Sequence, residues 1–528
     1  NFTSGKGNQT GSTFAKTILT ANNKTNTATE HYYLYLNISN NTFTYTQNEN
    51  TPEILLTITD GTNPVTNITS LTYKTVTDGK GNRISGYDIT NKKGLITLFS
   101  NREITTTSTK TENWNITVTF INYNIDQSKN AGKTFSGKVL IQKEKFKETI
   151  ATVCSNGQTL SSCIIAMNGK DDTLYHHTSS LANGAGDNSY RYAGGDYVLT
   201  EAGKATGATM MIGYNNSVTT ALIDFYCNGT KQYVGYASSC STSHYYLIKG
   251  DTTQYQTYNE ALNASVEKGY LTKDNVKNFV CFGSDATTCP TENLYRIIGV
   301  FNNHVKLIKY DYAKSSLLGT DGDFSQEYTS NYFSGEQGES PSSNSLYYWN
   351  NAGTNTWSAS KLNTVNLNTN FTTNIGTAWA NKIATTTWKV GGGTYANLRD
   401  AVPKTAYQYE VGSSASTTTY DAKIGLMYVS DYYYSASPSA WTLVGYNSDY
   451  TKSYASAKGE NWLYGGGWDW TISRNSDYSN YAFYGYDIGN VYNHNVNDYN
   501  GVRPSFNLDS TVTYVSGDGT KSNPIRIN

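Results

Sequence analysis

The chain has 528 residues, of which 15% are charged, and its net charge is −1. Soluble proteins average about 25% charged residues. Nucleic-acid recognition needs a basic face and attachment to anionic lipid needs clustered basic residues, so the composition argues against both partners.

Length and polarity predict a β-rich protein with more than one domain. At about 100–200 residues per domain, the length suggests roughly three domains. The polarity comes from Asn, Thr, Ser, Gly and 46 Tyr, and Thr and Tyr favour pleated sheets. No segment approaches the ~20 apolar residues of a membrane-spanning helix. The first residue is Asn1 rather than Met, so we expect a secreted protein that has lost an N-terminal signal, with a shortened chain as the alternative.

Residues 1–30 predict a flexible N-terminal arm. They are polar and rich in Asn and Thr, with one short apolar island around Phe14, Ile18 and Leu19. This composition is more typical of a mobile arm than of a packed element. Such an arm would be available as a donor strand for the sheet edge of another subunit.

Residues 31–146 predict a β-sandwich. In 113–124, the residues Trp114, Ile116 and Val118 share one face with Phe120, which is typical of a half-buried strand. Alternating strand-length stretches bounded by Asn, Gly or Asp turns occupy 31–39, 53–60, 70–78, 94–101, 113–124 and 134–144. Six or seven strands in about 115 residues favour an immunoglobulin-like or jelly-roll sandwich.

Residues 147–290 form a middle region that contains all the cysteines. The three close pairs are Cys154 with Cys163, Cys227 with Cys240, and Cys281 with Cys289. An even count at such spacing predicts three local disulfides in an oxidising compartment. Free thiols and a zinc site are the alternatives, although no CxxC pair is present. The apolar spacing at Tyr258, Leu262 and Val266 predicts a helix within 257–272.

Residues 291–528 contain eight of the nine Trp residues and predict an α+β module with long loops. The module begins with two strands, at 294–301 and 304–311, which are joined by a tight Asn-Asn turn. We expect it to end in strands around 502–508 and 512–515.

An aromatic set in this module is a candidate sugar-binding surface, because aromatic rings cover the apolar faces of sugars. Its members are Tyr432, Tyr433, Tyr434, Trp441, Trp462, Trp468 and Trp470. The alternative is that these rings pack a loop-rich core. Three consecutive Tyr in a strand cannot all face inward, which favours ligand binding for the Tyr run.

Other polar residues are predicted to have structural roles and not to bind metal ions. Asp321 and Asp323, and separately Asp518, lie in Gly-rich turns that do not complete a calcium loop. The adjacent His176 and His177 would face opposite ways in a strand, so they form a poor metal site.

Arg503, in a charge-poor strand, predicts a buried ion pair with Asp469 or Asp487. No catalytic triad, paired carboxylates or phosphate loop stands out. We therefore expect no enzyme activity, no metal and no cofactor.

Four segments resemble a large group of surface proteins of gut Firmicutes: 185–198, 278–309, 423–441 and 470–524. The resemblance implies a bacterial protein that is secreted or anchored at the cell surface. Residues 199–277 depart from the pattern of that group, as an insertion between segments that are usually adjacent.

Two further resemblances concern the fold. The sandwich, with the strand pair in 114–142, is similar to camelysin and biofilm-fibre subunits, in which a jelly-roll-like sandwich accepts an N-terminal strand from the neighbouring subunit. The last module is similar to the C-type-lectin-like fold, which formylglycine-generating enzymes also use. The matching residues are Trp468, Trp470, Ser473, Arg474, Gly501, Val502 and Arg503. The catalytic cysteines have no counterpart after Cys289, so the resemblance implies a fold and not that activity.

Together these observations predict a structural subunit of a bacterial extracellular filament or pilus-like appendage. It would assemble by N-terminal strand donation and display a lectin-like domain. The alternative is a non-polymerising surface adhesin that binds a glycan or a host protein through residues 291–528.

Overall fold

Antiparallel β-strands make up most of the regular structure, as the sequence predicts, and the helices are short. The computed structural model describes residues 7–21, 27–61, 63–143, 146–195, 197–212, 219–232, 240, 242–272, 276–328, 344–447 and 452–528. The chain divides into a first unit, Asn1–Glu148, and a second unit, Thr149–Asn528.

The first unit consists of two antiparallel sheets that share one hydrophobic core. Its strands are β1 (Gln9–Thr20), β2 (Ala28–Asn41), β3 (Ile54–Asp60), β4 (Asn63–Pro64), β5 (Tyr73–Thr77), β6 (Arg83–Asp88), β7 (Gly94–Thr106), β8 (Thr109–Phe120) and β9 (Phe135–Gln142). One sheet has the order β1-β8-β3-β6-β5, with β4 beside β3, and the other has the order β7-β2-β9. Leu36 of β2 and Leu56 of β3 belong to the same buried cluster.

All six stretches predicted as strands in this region contain one. In β8, the side chains of Trp114, Ile116 and Val118 are buried, while Asn113 and Asn115 are exposed, as the alternating pattern predicts. The sequence patterns do not predict β1, β4 or β6.

The predicted flexible arm is wrong for residues 9–20. Strand β1 pairs antiparallel with β8 along its whole length, from Gln9 opposite Phe120 to Thr20 opposite Thr109. Backbone hydrogen bonding to an open sheet edge orders this segment although few of its side chains are buried. The rest of the predicted arm includes residues 1–6 and 22–26, which lie outside the described residues.

The second unit is built around a central sheet with the order β10-β11-β19-β20-β30-β25, with β18 beside β19. Its strands are β10 (Leu174–His176), β11 (Tyr190–Tyr192), β12 (Val198–Leu199), β13 (Met210–Ile212), β14 (Ala221–Cys227), β15 (Thr230–Gln232), β16 (His244–Ile248), β17 (Leu271–Thr272), β18 (Phe279–Cys281), β19 (Leu294–Phe301), β20 (His304–Lys309), β21 (Phe324–Tyr328), β22 (Asn344–Tyr348), β23 (Thr386–Lys389), β24 (Thr419–Ala422), β25 (Ile424–Gly425), β26 (Asp469–Arg474), β27 (Tyr481–Gly485), β28 (Val491–Asn495), β29 (Tyr499–Asn500), β30 (Ser505–Asn507), β31 (Tyr514–Ser516) and β32 (Arg526–Ile527). One core cluster joins side chains from the middle region, such as Ile164, to side chains of the last module, such as Trp470.

The helices described in the second unit are short. They are α1 (Ile150–Val153), α2 (Leu160–Ala166), α3 (Glu201–Ala205), α4 (Tyr258–Glu267), α5 (Ser315–Leu318), α6 (Thr372–Asn374), α7 (Thr377–Ala380), α8 (Pro403–Glu410) and α9 (Val429–Tyr434), with π-helical turns at Leu362–Phe371 and Tyr395–Arg399. Among the described residues, 3₁₀ turns lie at Ser128–Asn130, Thr291–Asn293, Trp357–Ala359, Pro438–Ala440 and Tyr454–Glu460. Within the described ranges, none of the helices is long and apolar enough to span a membrane.

Local sequence signals account for several of these elements. Helix α4 is confirmed, and it begins with a capping box in which Thr257 and Glu260 satisfy each other's backbone N–H groups. The hairpin between β19 and β20 turns at Asn302 and Asn303, whose φ angles are 48° and 65°. Asn tolerates this left-handed conformation, which a two-residue hairpin turn requires.

The predicted insertion has its own small core. Strand β14 pairs with β13, β15 and β16, and the cluster around Leu222, Phe225 and Leu262 is separate from the main core. At its ends, Leu199 of β12 lies opposite Leu271 of β17 in an antiparallel pair.

The three predicted disulfides are confirmed. They join Cys154 to Cys163, Cys227 to Cys240, and Cys281 to Cys289, across sequence separations of 9, 13 and 8 residues.

We expect the double variant Cys281→Ala, Cys289→Ala to lose about 2–3 kcal/mol of unfolding free energy, because the bond closes a short loop whose entropy in the unfolded chain is then restored. Chemical denaturation of the oxidised proteins measures the difference. Thiol titration of the unfolded wild-type protein is the control, and more than a trace of free thiol would contradict the disulfide assignment.

Candidate functional site

The aromatic set proposed from the sequence does not form a ligand-binding surface. Six of its seven members are buried, namely Tyr432, Tyr433, Tyr434, Trp441, Trp462 and Trp470, and only Trp468 is partly exposed. The sugar-stacking prediction is therefore wrong for these six, because a buried ring has no face to offer a sugar. The alternative interpretation, a loop-rich aromatic core, is the one the structure supports.

The Tyr run also has a different secondary structure from the one expected. Tyr432, Tyr433 and Tyr434 lie in α9, not in a strand, and a helix surrounded on all sides buries every face. Each hydroxyl group finds an acceptor inside: the carbonyl oxygens of Gly489 (2.7 Å), Leu398 (3.0 Å) and Asn183 (3.0 Å), respectively. The three rings thus satisfy loop carbonyls while filling the core.

The predicted ion pair of Arg503 is confirmed with Asp469 and not with Asp487. Arg503 Nε donates to Asp469 Oδ2 at 2.5 Å, and its Nη2 donates to the Leu463 carbonyl oxygen at 2.7 Å. Both partners are buried. Burial raises the pKa of Asp469 to about 6, although the neighbouring Arg503 guanidinium opposes the shift.

The other polar candidates have structural partners. Asp323 is buried and accepts the backbone N–H groups of Asn351 (3.0 Å) and Leu362 (2.7 Å). His177 is buried against Tyr434 and Trp441, and burial lowers the pKa of its imidazole to about 3.

Asp321 and Asp518 also act within turns. Asp321 Oδ1 accepts the side-chain amide of Asn370 at 2.6 Å, and Asp518 Oδ1 accepts the backbone N–H of Thr520 at 3.0 Å. The other histidine of the pair, His176, stacks on Tyr190. Across the part of the chain that the structure describes, no group of three or more His, Cys, Asp or Glu residues lies close enough to hold a metal ion.

A different part of the second unit has the geometry of a binding site. We call it the charged cleft, a cavity of about 500 Å³. Its lining residues are Asp187, Ser189, Arg191, Phe301, Asn302, His304, Lys306, Thr386, Thr387, Trp388, Lys389, Tyr407, Val411, Tyr428, Ser430, Asp431 and Asn507. They come from β11, β19, β20, β23, β30, α8 and α9 and from the loops beside them.

Opposite charges meet at the floor of the cleft. Lys306 Nζ donates to Asp431 Oδ2 at 2.5 Å, and Arg191 Nη2 donates to Asp187 Oδ2 at 2.6 Å. Arg191 Nη1 lies 3.7 Å from Asp431 Oδ1, so Asp431 interacts with both cations. The side chains of Arg191, Lys306 and Asp431 are each at most 6% exposed, which makes this a buried network.

Aromatic rings surround the two cations. Lys306 Nζ lies 4.5 Å from the ring centre of Tyr428 and 5.2 Å from that of Trp388. The Arg191 guanidinium carbon lies 4.6 Å from the ring centre of Phe301. Cation–π attraction therefore offsets part of the desolvation of these charges, while burial lowers the pKa of Lys306.

A third carboxylate, outside the cleft lining, contacts the start of α9. Glu410 of α8 accepts the backbone N–H groups of Val429 and Ser430, both at 2.9 Å, and the hydroxyl of Ser473. Burial raises the pKa of Glu410 despite these donors. These hydrogen bonds join α8 to the first turn of α9 and so help to position Asp431.

Sequence reasoning missed the charged cleft. The usable signal is a charged residue between apolar or aromatic neighbours, and Arg191 in β11 and Lys306 in β20 share it with Arg503. Their partner Asp431 lies within the Tyr-rich helix, 240 residues after Arg191, so local spacing does not reveal the pairing.

Comparison of this chain with protein-family models, with curated protein sequences and with solved structures finds no match. The site is therefore interpreted from its own geometry.

We expect Arg503→Met to lower the unfolding free energy by about 3–5 kcal/mol, because it leaves the buried Asp469 carboxylate without its cation. Adding Asp469→Asn should recover part of that loss, since the uncompensated charge is removed. Urea denaturation of the two variants and the wild type measures both effects. A single variant within about 0.5 kcal/mol of wild type would contradict a buried pair.

Glu460 predicts a pH dependence of stability. It is buried beside Ser439, whose hydroxyl it accepts at 3.1 Å, and burial raises its pKa from 4.5 to about 7. The folded state then binds a proton more tightly than the unfolded state, so the contribution of Glu460 to stability falls as pH rises from about 4.5 to 7. We expect Glu460→Gln to match wild type near pH 4.5 and to exceed it by up to about 3 kcal/mol near pH 8. Urea denaturation at the two pH values tests this, and an equal difference at both would refute it.

Proposed function

We propose that this chain is a structural subunit of a bacterial extracellular filament, joined to its neighbours by donation of β1. The observation that carries the proposal is the pairing of β1: its twelve residues lie opposite β8 in unbroken register at the edge of the β1-β8-β3-β6-β5 sheet. A strand held in this way uses the same backbone hydrogen bonds on its own sheet or on that of a second copy.

The side chains of β1 support this reading. Only Ala15 is buried, while Phe14 and Ile18 are 73% and 57% exposed on the opposite face. Releasing β1 therefore exposes little of the shared core, so exchange between subunits costs little hydrophobic stabilisation. An exchange in which each subunit gives its strand to the next is a head-to-tail contact, and it propagates into a fibre when the rotation between subunits does not close a ring.

The finer architecture belongs to the same proposal. We propose an immunoglobulin-like or jelly-roll sandwich for the first unit, because its two sheets share one core, and a C-type-lectin-like module within the second. The three disulfides fit an extracellular protein. Resemblance to Firmicutes surface proteins and biofilm-fibre subunits supports a location at the cell surface.

Cysteine pairing tests strand donation directly. Ser12 of β1 lies opposite Thr117 of β8, with their hydroxyl oxygens 2.9 Å apart at an exposed position. If β1 is donated, a mixture of Ser12→Cys chains and Thr117→Cys chains will form disulfide-linked dimers on assembly and oxidation, since each chain carries one introduced thiol. Non-reducing electrophoresis and negative-stain microscopy of the same sample measure linkage and fibre formation.

Two comparisons sharpen this test. The double variant Ser12→Cys, Thr117→Cys, oxidised before assembly, holds β1 on its own sheet and should form no fibres. The matched control mixes Thr29→Cys with Thr105→Cys, an exposed pair at 3.1 Å across β2 and β7, which should not link between chains. Fibres from the oxidised double variant would overturn the mechanism.

The charged cleft favours a second candidate function, a surface adhesin whose ligand site lies in the second unit. In this candidate the ligand site is the charged cleft, which combines charged side chains and partly exposed rings, and not the buried aromatic set. The two functions are compatible, since a filament subunit can display a binding site.

A further inference from the structure

The buried cations of the charged cleft have more N–H donors than acceptors. Among the described residues, the Lys306 ammonium donates one hydrogen bond, to Asp431, although it carries three N–H groups. Arg191 uses Nε on Ser189 and Nη2 on Asp187, while its Nη1 lies beyond hydrogen-bond distance of Asp431 at 3.7 Å. Because both side chains line the cleft, a ligand oxygen there would meet donors that are already ordered.

The balance of charge in the lining favours an anion. Arg191, Lys306 and Lys389 carry positive charge and Asp187 and Asp431 carry negative charge, so three cations against two anions leave one positive charge. A cavity with low-dielectric aromatic walls strengthens the attraction of that charge for a ligand.

The remainder of the lining is apolar and neutral polar. Phe301, Tyr407 and Val411 are partly exposed and offer ring and aliphatic surface. Asn302 and Asn507 add amide groups at the rim. A volume of about 500 Å³ falls in the range of small-molecule sites, about 300–1,000 Å³.

We propose that the charged cleft binds a carboxylate-bearing sugar, as a single residue or at the end of a glycan. Its carboxylate would accept hydrogen bonds from Lys306 and Arg191, its C–H face would cover Phe301 and Tyr407, and its hydroxyls would meet the rim amides. An inorganic anion leaves the apolar wall uncovered, and a neutral sugar leaves the excess positive charge uncompensated. The inference rests on the second proposed function, the adhesin, and specifies its ligand.

Isothermal titration calorimetry on the full chain tests the ligand class. The probes are methyl β-D-glucuronide and N-acetylneuraminate, with methyl β-D-glucoside as the neutral counterpart of the first. We expect at least one acidic sugar to bind with a Kd on the order of 1 mM or below, and the glucoside to bind at least about tenfold more weakly, because it lacks the charge-assisted hydrogen bonds.

Variants locate the binding in the cleft. Lys306→Met keeps an unbranched side chain among the rings and should weaken acidic-sugar binding at least about tenfold. Lys389→Ala changes a partly exposed residue of the same lining, so it weakens binding without disturbing the buried network. The matched control is Lys404→Ala, an exposed lysine of α8 outside the lining. Thermal unfolding of each variant confirms that it is folded.

The results distinguish failure of the acidic-sugar inference from failure of the adhesin function. Absence of acidic-sugar binding up to about 10 mM, or binding that both cleft variants leave unchanged, overturns the inference. Equal affinity for the glucoside, lost in the cleft variants, overturns the carboxylate requirement while the adhesin function stands. An array of neutral and acidic glycans, probed with the full chain, completes the distinction, since silence across it also removes an adhesin that binds glycans.

Discussion

The packing of the second unit depends on ion pairs between a few buried charged residues, in a chain of which only 15% is charged. Asp431 accepts a hydrogen bond from Lys306, lies near Arg191 and accepts the backbone N–H of Tyr428 at 2.9 Å. These contacts tie the central sheet to α9 from two different strands. Removing a single member would leave a buried charge without its partner, so such a network admits few alternative packings of helix on sheet.

Aromatic side chains also hold the second unit together, because they fill its core and donate hydrogen bonds to backbone carbonyls. Much of the second unit is loop, and buried loop carbonyls need donors that no neighbouring strand supplies. Tyr hydroxyl and Trp indole groups supply them: Tyr432 donates to the Gly489 carbonyl at 2.7 Å and Trp441 to the Ala436 carbonyl at 2.9 Å. A single side chain thereby fills space and satisfies the backbone, which explains why Tyr and Trp are so frequent in this composition.

Features that depend on nearby residues could be predicted from the sequence, whereas features that depend on distant ones could not. Alternation in β8, the capping box of α4, the Asn302–Asn303 turn and the short cysteine loops are all local. In contrast, β1 gains its order from β8, about 100 residues further along the chain, and the Tyr run becomes a buried helix because other segments enclose it. The pairing of Arg503 could be predicted because a buried cation needs an anionic partner. Lys306 needs one for the same reason, but its burial is not evident from the sequence.

The antiparallel contact between β12 and β17 has a consequence for how this chain tolerates change. The segment between them leaves the central sheet and returns to it at neighbouring points, and it packs around a core of its own. Lengthening or shortening it therefore alters the closure entropy of one loop only slightly and leaves the spacing of β11, β18 and β19 as it was. This segment can therefore vary in length, or accept an inserted reporter domain, without changes to the central sheet.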